Sequence, residues 1–222
     1  MKIYFYILIF MLTFNLNASS LKNNGLLGSN YFSAGIGTIK FEDEDINKFY
    51  DKNIIIGLKG NFRLSNNTDL TLSISSFNSN VDYNGTTGDV NANSISLLYL
   101  YHFLPNKNFD PYISIGLAKV FSEIDVTYSD GTNYKDSSSD NGYNISVGSQ
   151  INIKNKVFIT PSIIYSKIGK DEYSESTGLN INVDTKITKK LFIGGSILAE
   201  KDNSSENKDI DTTYFINVKI LF

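Results

Sequence analysis

Along most of this chain a large apolar side chain falls on every second residue, and the residues between are small or polar. Tyr143, Ile145, Val147, Ile151 and Ile153 alternate with Asn144, Ser146, Gly148, Gln150 and Asn152. Ile54, Ile56, Leu58, Phe62 and Leu64 likewise alternate with Gly57, Lys59, Asn61 and Arg63. A period of two places each set on one face of a β-strand. Ten segments carry the pattern: 30–41, 53–64, 68–77, 91–103, 111–122, 142–153, 157–168, 177–187, 191–199 and 212–222. The ninth contains Gly194-Gly195 and shows no clean parity, so the count falls to eight if it and a neighbour are not strands.

Alternation alone does not identify the solvent, because a soluble β-sandwich alternates too. The second face does. It consists mostly of Gly, Ser, Asn and Thr with isolated charges, which suits a narrow polar lumen. It offers few Lys and Glu to cover the outside of a soluble protein. A tilted transmembrane strand needs about 9 to 11 residues, and most of the segments supply them. The expected fold is therefore all-β: a closed up-and-down antiparallel transmembrane β-barrel of ten strands. A lipocalin-like secreted barrel or sandwich is the other reading.

The N-terminus fits export. Lys2 precedes an apolar run, Ile3 to Phe14, and Ala18 is followed by Ser19-Ser20-Leu21-Lys22. A basic start, a run too short to span a bilayer and a small residue at its end predict a signal peptide over 1–18, with the barrel domain over 19–222. An uncleaved anchor is the alternative. With no Cys in the chain, a disulfide framework, Cys-ligated zinc and a thiol nucleophile are all excluded.

The intervals between segments alternate in length. Those at 65–67, 104–110, 154–156 and 188–190 are brief, and those at 42–52, 78–90, 123–140, 169–176 and 200–211 are longer, as expected for short periplasmic turns and long extracellular loops. The formal charge of −3 hides a division between the two ends. Of 23 acidic residues, 20 fall in the five long intervals beside six Lys, a net of −14. The rest of the chain after residue 18 holds 13 Lys+Arg and only three acids, Asp69, Asp110 and Asp184, a net of +10. An acidic outer rim attracts divalent cations or basic groups of a partner and repels anions, nucleic acid included. The acidic runs lack the ligand spacing of a calcium loop.

Arg63, Asp69, His102, Lys186 and Lys219 have lumen parity and lie near the short-turn ends. Charges in a low-dielectric interior must pair, so a cross-lumen network that narrows or plugs the barrel is expected from them. The single His, His102, falls at the periplasmic end and is followed by Phe103-Leu104-Pro105. Outer-membrane enzymes need their acid-base groups near the external rim, so His102 reads as a lumen residue rather than a catalyst. No catalytic, cofactor-binding or metal-binding residue is assigned.

The chain resembles the small outer-membrane β-barrel proteins of Gram-negative bacteria, the group that includes the transmembrane domain of outer-membrane protein A and short porin-family surface proteins. Tyr214, Ile216, Val218, Ile220 and Phe222 look like the β-signal read by the barrel assembly machinery, and Pro111-Tyr112-Ile113-Ser114-Ile115-Gly116-Leu117-Ala118 is similar to a strand opening common in the group. Trp is absent, so Tyr and Phe must form the aromatic girdles. The resemblance implies outer-membrane lipids and lipopolysaccharide around the barrel and contact with the assembly machinery during biogenesis. The expected role is structural or adhesin-like, through a surface partner at the acidic loops. A narrow porin for small solutes is the alternative, and a lipid-modifying enzyme a more distant one.

Overall fold

The computed structural model describes residues 26–105, 107–169, 174–203 and 210–222, so the proposed signal peptide lies outside the described residues. Ten strands follow in order: β1 (Tyr31–Lys40), β2 (Tyr50–Arg63), β3 (Thr68–Tyr83), β4 (Thr86–His102), β5 (Phe109–Thr127), β6 (Asn133–Ile153), β7 (Val157–Ile168), β8 (Ser174–Lys186), β9 (Leu191–Asp202) and β10 (Ile210–Leu221). Each pairs antiparallel with its sequence neighbour, and β1 pairs with β10 to close the barrel. At the seam Ile36 stands opposite Ile216 on one side and Ile56 on the other. No described helix is long and apolar enough to cross a membrane.

Outside and inside follow the alternation. Ile36, Ile56, Leu97, Leu117, Ile163, Ile197 and Ile216 are exposed on the outer wall, an apolar surface that only lipid covers favourably. Asn61, Thr71, Ser114, Ser146, Gln150, Ser162 and Asn217 are buried within. The ninth segment is a strand, which fixes the count at ten. Its exposed apolar residues are Ile193 and Ile197, while Phe192 is buried in the lumen and Gly194 shares Phe192's parity.

Two of the intervals expected to be long loops are strand instead. β3 and β4 run to a two-residue turn at Asn84-Gly85, whose φ angles of 51° and 80° make the primed turn that matches strand twist. β5 and β6 continue to residues 128–132 and are 19 and 21 residues long. At about 3.4 Å per residue, β6 extends for roughly 70 Å, far more than a tilted crossing of an apolar band about 25 Å tall requires. From 133 to 139 every β6 residue is exposed, so water meets both faces of the hairpin there.

Above the outer rim the apolar parity reverses. Val81, Val90 and Val126 point inward and are buried together, with Phe77 and Ile124 packed against them. The interval before β2 contains a short helix, α1 (Glu44–Phe49), and its Phe49, with Tyr50, covers this inward face. Once the outer wall of these two hairpins meets water instead of lipid, their large apolar residues are retained on the buried side.

Candidate functional site: a closed floor beneath an extended rim

The periplasmic end of the lumen is filled by the segment that leads into β1. Leu26 is 3% exposed and packs with Tyr31, Phe158 and Phe192, all buried, with Leu221 against them. Gly28 turns the chain at φ 71°, a region costly for any side chain, and its N–H donates to Asp69 Oδ2 at 2.7 Å. Asn61 Nδ2 donates to the Ser29 carbonyl at 2.8 Å, and the Arg63 N–H donates to Asn30 Oδ1 at 2.7 Å. The Phe222 N–H donates to the Asn30 carbonyl at 3.2 Å. Backbone groups that enter a barrel must find such partners, and here the walls supply them.

Two charged clusters flank this floor. His102, 0% exposed, has Asp110 Oδ2 3.0 Å from Nδ1 and Asp69 Oδ2 3.1 Å from Nε2, the latter off the line of a hydrogen bond. Asn61 Nδ2 also donates to Asp69 Oδ2 at 3.1 Å, and Thr71 Oγ1 donates to Asn61 Oδ1 at 2.6 Å. In the second cluster Lys219 Nζ donates to both Asp184 carboxylate oxygens at 2.6 Å, and Asn182 Nδ2 also reaches Asp184. The ammonium groups of Lys219 and Lys59 lie 5.9 and 6.0 Å from the Tyr31 ring centre. Each buried carboxylate therefore has a cationic or donor group beside it, which burial in a low dielectric demands.

Of the five lumen charges read from sequence, Asp69, His102 and Lys219 enter these clusters. Arg63 does not. Its guanidinium folds onto the adjoining turn, donating to the Ser65 carbonyl at 2.8 Å and to Asn66 Oδ1 at 2.9 Å, because a residue at the strand end reaches water more cheaply than a buried partner. Lys186 is half-buried with its ammonium 6.0 Å from the Phe192 ring centre. Sequence reasoning left out Asp110, Asp184, Asn61, Lys59 and Tyr31. The signal for the two acids was present: together with Asp69 they are the only acidic residues outside the long intervals.

Above the floor lies a cavity of about 370 Å³, lined by polar groups such as Ser33, Lys59, Ser73, Tyr112, Ser162 and Asn180. The Phe215 ring crosses its wall against Gly35 and Gly57, where an added Cβ would lie 2.3 and 3.1 Å from it. At the rim, Lys135 Nζ bridges Asp125 at 2.9 Å and Glu123 at 3.1 Å on the exposed β5–β6 hairpin. These carboxylates, Asp125 foremost, hold the Lys135 ammonium above its usual range. Among the described residues no group of three or more His, Cys, Asp or Glu side chains is arranged to hold a metal ion; His102 pairs with Asp69 and Asp110 instead. The outward β10 residues Tyr214, Ile216, Val218 and Ile220 face the lipid side, and Phe222 stacks on Phe32 at 4.6 Å beside the closing seam.

The family described as the outer membrane protein beta-barrel domain matches residues 7–186. Comparison with curated proteins finds no match. Similar solved structures include the outer membrane protease OmpT of Escherichia coli, 10% identical, covering 87% of this chain and 97% of that one at a TM-score of 0.48. Neisserial surface protein A is 13% identical, with 87% and 97% covered and a TM-score of 0.43. Ail, the attachment invasion locus protein of Yersinia pestis, is 14% identical, with 87% and 99% covered and a TM-score of 0.40.

Proposed function

Because the chain belongs to the outer membrane protein β-barrel domain family and resides in the outer membrane, we propose that it works as a closed barrel that displays its extended outer hairpins to a surface partner. The observation that carries this reading is the pairing of a filled floor with a tall, water-bathed β5–β6 hairpin. Material built beyond the bilayer costs ordering entropy and adds nothing to the crossing itself, so a role outside the membrane is the economical account. The acidic residues of the outer segments give that role its sign: a basic partner or a cation-bridged one is attracted, and salt weakens the attraction. Outer-membrane lipids and lipopolysaccharide surround the apolar wall. The assembly machinery meets the strand that ends in Tyr214, Ile216, Val218, Ile220 and Phe222.

The porin reading requires Leu26 and the Gly28–Asp69 contact to leave the lumen, so it is secondary. The enzyme reading is weaker still, because the single His of the sequence, His102, is buried in the floor. Two measurements test the proposal. The full chain in planar bilayers is expected to show no steady ion conductance, and vesicles bearing it are expected to attach to cell layers or abiotic surfaces. Shortening the β5–β6 hairpin between 123 and 140 should abolish attachment while leaving heat-modifiable gel mobility intact. Steady conductance, or attachment indifferent to the shortened hairpin, would refute the reading.

A further inference from the structure

Among the described residues the hairpin has one open side. β5 pairs with β6 along its whole length, from Phe109↔Ile151 to Thr127↔Asn133, but β7 joins β6 only from Gly142↔Ile168. The chain leaves the sheet at Gly169, φ 90°, whose N–H donates to the Asn141 carbonyl at 3.0 Å. That bond fixes the direction of the edge. The carbonyl of Asn141 points away from β5, and residues alternate along a strand, so the backbone groups of Asn133, Lys135, Ser137 and Ser139 point the same way. The opposite side of the tall sheet is treated differently: β2 pairs with β3 up to Tyr50↔Val81, and α1 lies against the inward face.

We infer that the β6 edge at 133–139 takes an extended basic peptide segment of a partner protein as an added strand, a refinement that rests on the surface-interaction reading above. Unpaired backbone groups on a straight edge are a template for strand addition. The side chains define the partner further. On the inward-pointing row, Asp136 and Asp140 stand four residues apart with Tyr134 and Ser138. Their contacts are neutral groups: Asp136 accepts from the Ser137 N–H at 2.9 Å and the Tyr134 hydroxyl at 3.4 Å, and Asp140 from the Ser138 hydroxyl at 3.3 Å. On the other row the one cation, Lys135, is already engaged by Glu123 and Asp125. The edge thus offers two carboxylates on one face and no free cation among its described residues. A strand with Lys or Arg at positions i and i+4 matches that spacing. A second copy of this edge would set carboxylate against carboxylate, so self-pairing is disfavoured. Arrival of a basic side chain at Asp136 also releases the Ser137 N–H for the new ladder.

The test uses the full chain in lipid nanodiscs and a dye-labelled Thr/Val-rich peptide with two lysines four residues apart. Binding is read by fluorescence anisotropy and by hydrogen exchange of the 133–139 amides. Expected are binding that protects those amides and an affinity about tenfold lower in each of three comparisons, the loss of one or two hydrogen bonds or charge pairs. These are the same peptide N-methylated on alternate residues, the Ser139→Pro protein, and the Asp136→Asn/Asp140→Asn protein. Proline at Ser139 removes a donor from the open side and leaves the β5 ladder its bonds. Equal binding of the N-methylated peptide, or binding without protection of 133–139, overturns the edge proposal; so does an absence of binding by any of these peptides. If shortening the hairpin still abolishes surface attachment in those cases, the surface role survives and the edge fails. If shortening leaves attachment intact, the surface role itself fails.

Discussion

Gly194 is a glycine because Asp184 occupies the place of its side chain: a Cβ there would lie 2.1 Å from Asp184 Oδ1 and 2.9 Å from the Val183 carbonyl. Gly195, one residue on and facing lipid, would meet only the Phe215 carbonyl at 3.3 Å. Gly194→Ala must therefore push Asp184 away from Lys219, combining overpacking with the loss of a buried ion pair, at a cost of about 2–4 kcal/mol. Gly195→Ala needs a shift of a few tenths of an ångström and should be nearly neutral. Urea unfolding of the two variants in vesicles checks this, and equal midpoints would remove Asp184 as the reason for Gly194. The same pair of glycines explains why the ninth segment looked irregular in sequence. Its missing side chains are accounted for by a carboxylate on the neighbouring strand, a partner that no pattern within the segment can reveal. Arg63 shows the converse: parity assigns its position to the lumen face, but a long side chain at a strand end is free to turn back to the Ser65–Asn66 turn.

At the scale of elements, the strands within the bilayer were legible because lipid outside and polar groups inside impose one phase on every segment. That phase ends at the outer rim. Leu117 and Phe121 point outward from β5, whereas Ile124 and Val126 of the same strand point inward toward Phe49, Tyr50 and Phe77. A shift of parity without any bulge reads in sequence as the end of a strand, and the intervals at 78–90 and 123–140 looked like loops for that reason. The change is of solvent, not of secondary structure. It follows that the inverted cluster is what seats α1 on the sheet, while the Asn47–Phe41 hydrogen bonds tie the helix only to the chain just before it. Val126→Asp places a charge where three valines are buried, so α1 should detach while the membrane-spanning part keeps its ladder. Hydrogen exchange at 46–50 is expected to speed up by at least about tenfold with heat-modifiable mobility unchanged. Unaltered exchange would mean that other contacts seat the helix.

For the molecule as a whole, ten strands in sequence order make nine local hairpin pairings and a single long-range one, β1 with β10. Closure therefore depends on bringing together segments nearly the full chain apart, and loop-closure entropy opposes that step more than any single hairpin. The seam is reinforced where the strands meet at the periplasmic end. Phe222 stacks on Phe32 at 4.6 Å with an interplanar angle of 17° and meets the Phe62 ring edgewise at 6.3 Å, while Phe32 and Phe62 are 6.1 Å apart. Three rings from β1, β2 and the residue after β10 thus join the two ends of the sheet on its lipid side. The Phe222 N–H also donates to Asn30, which holds the floor segment by a second bond, so closing the wall and filling the lumen are coupled. Phe222→Ala keeps the backbone bond and removes the rings' common partner, a loss of about 1–3 kcal/mol from a contact made only on closure. The folded barrel should remain competent to form, but its appearance in vesicles should slow several-fold, with an open intermediate visible as the unshifted band on gels. Phe158→Ala, which removes a floor ring away from the seam, should lower stability with less effect on that rate. If the two variants slow closure equally, the seam is not the step that Phe222 serves.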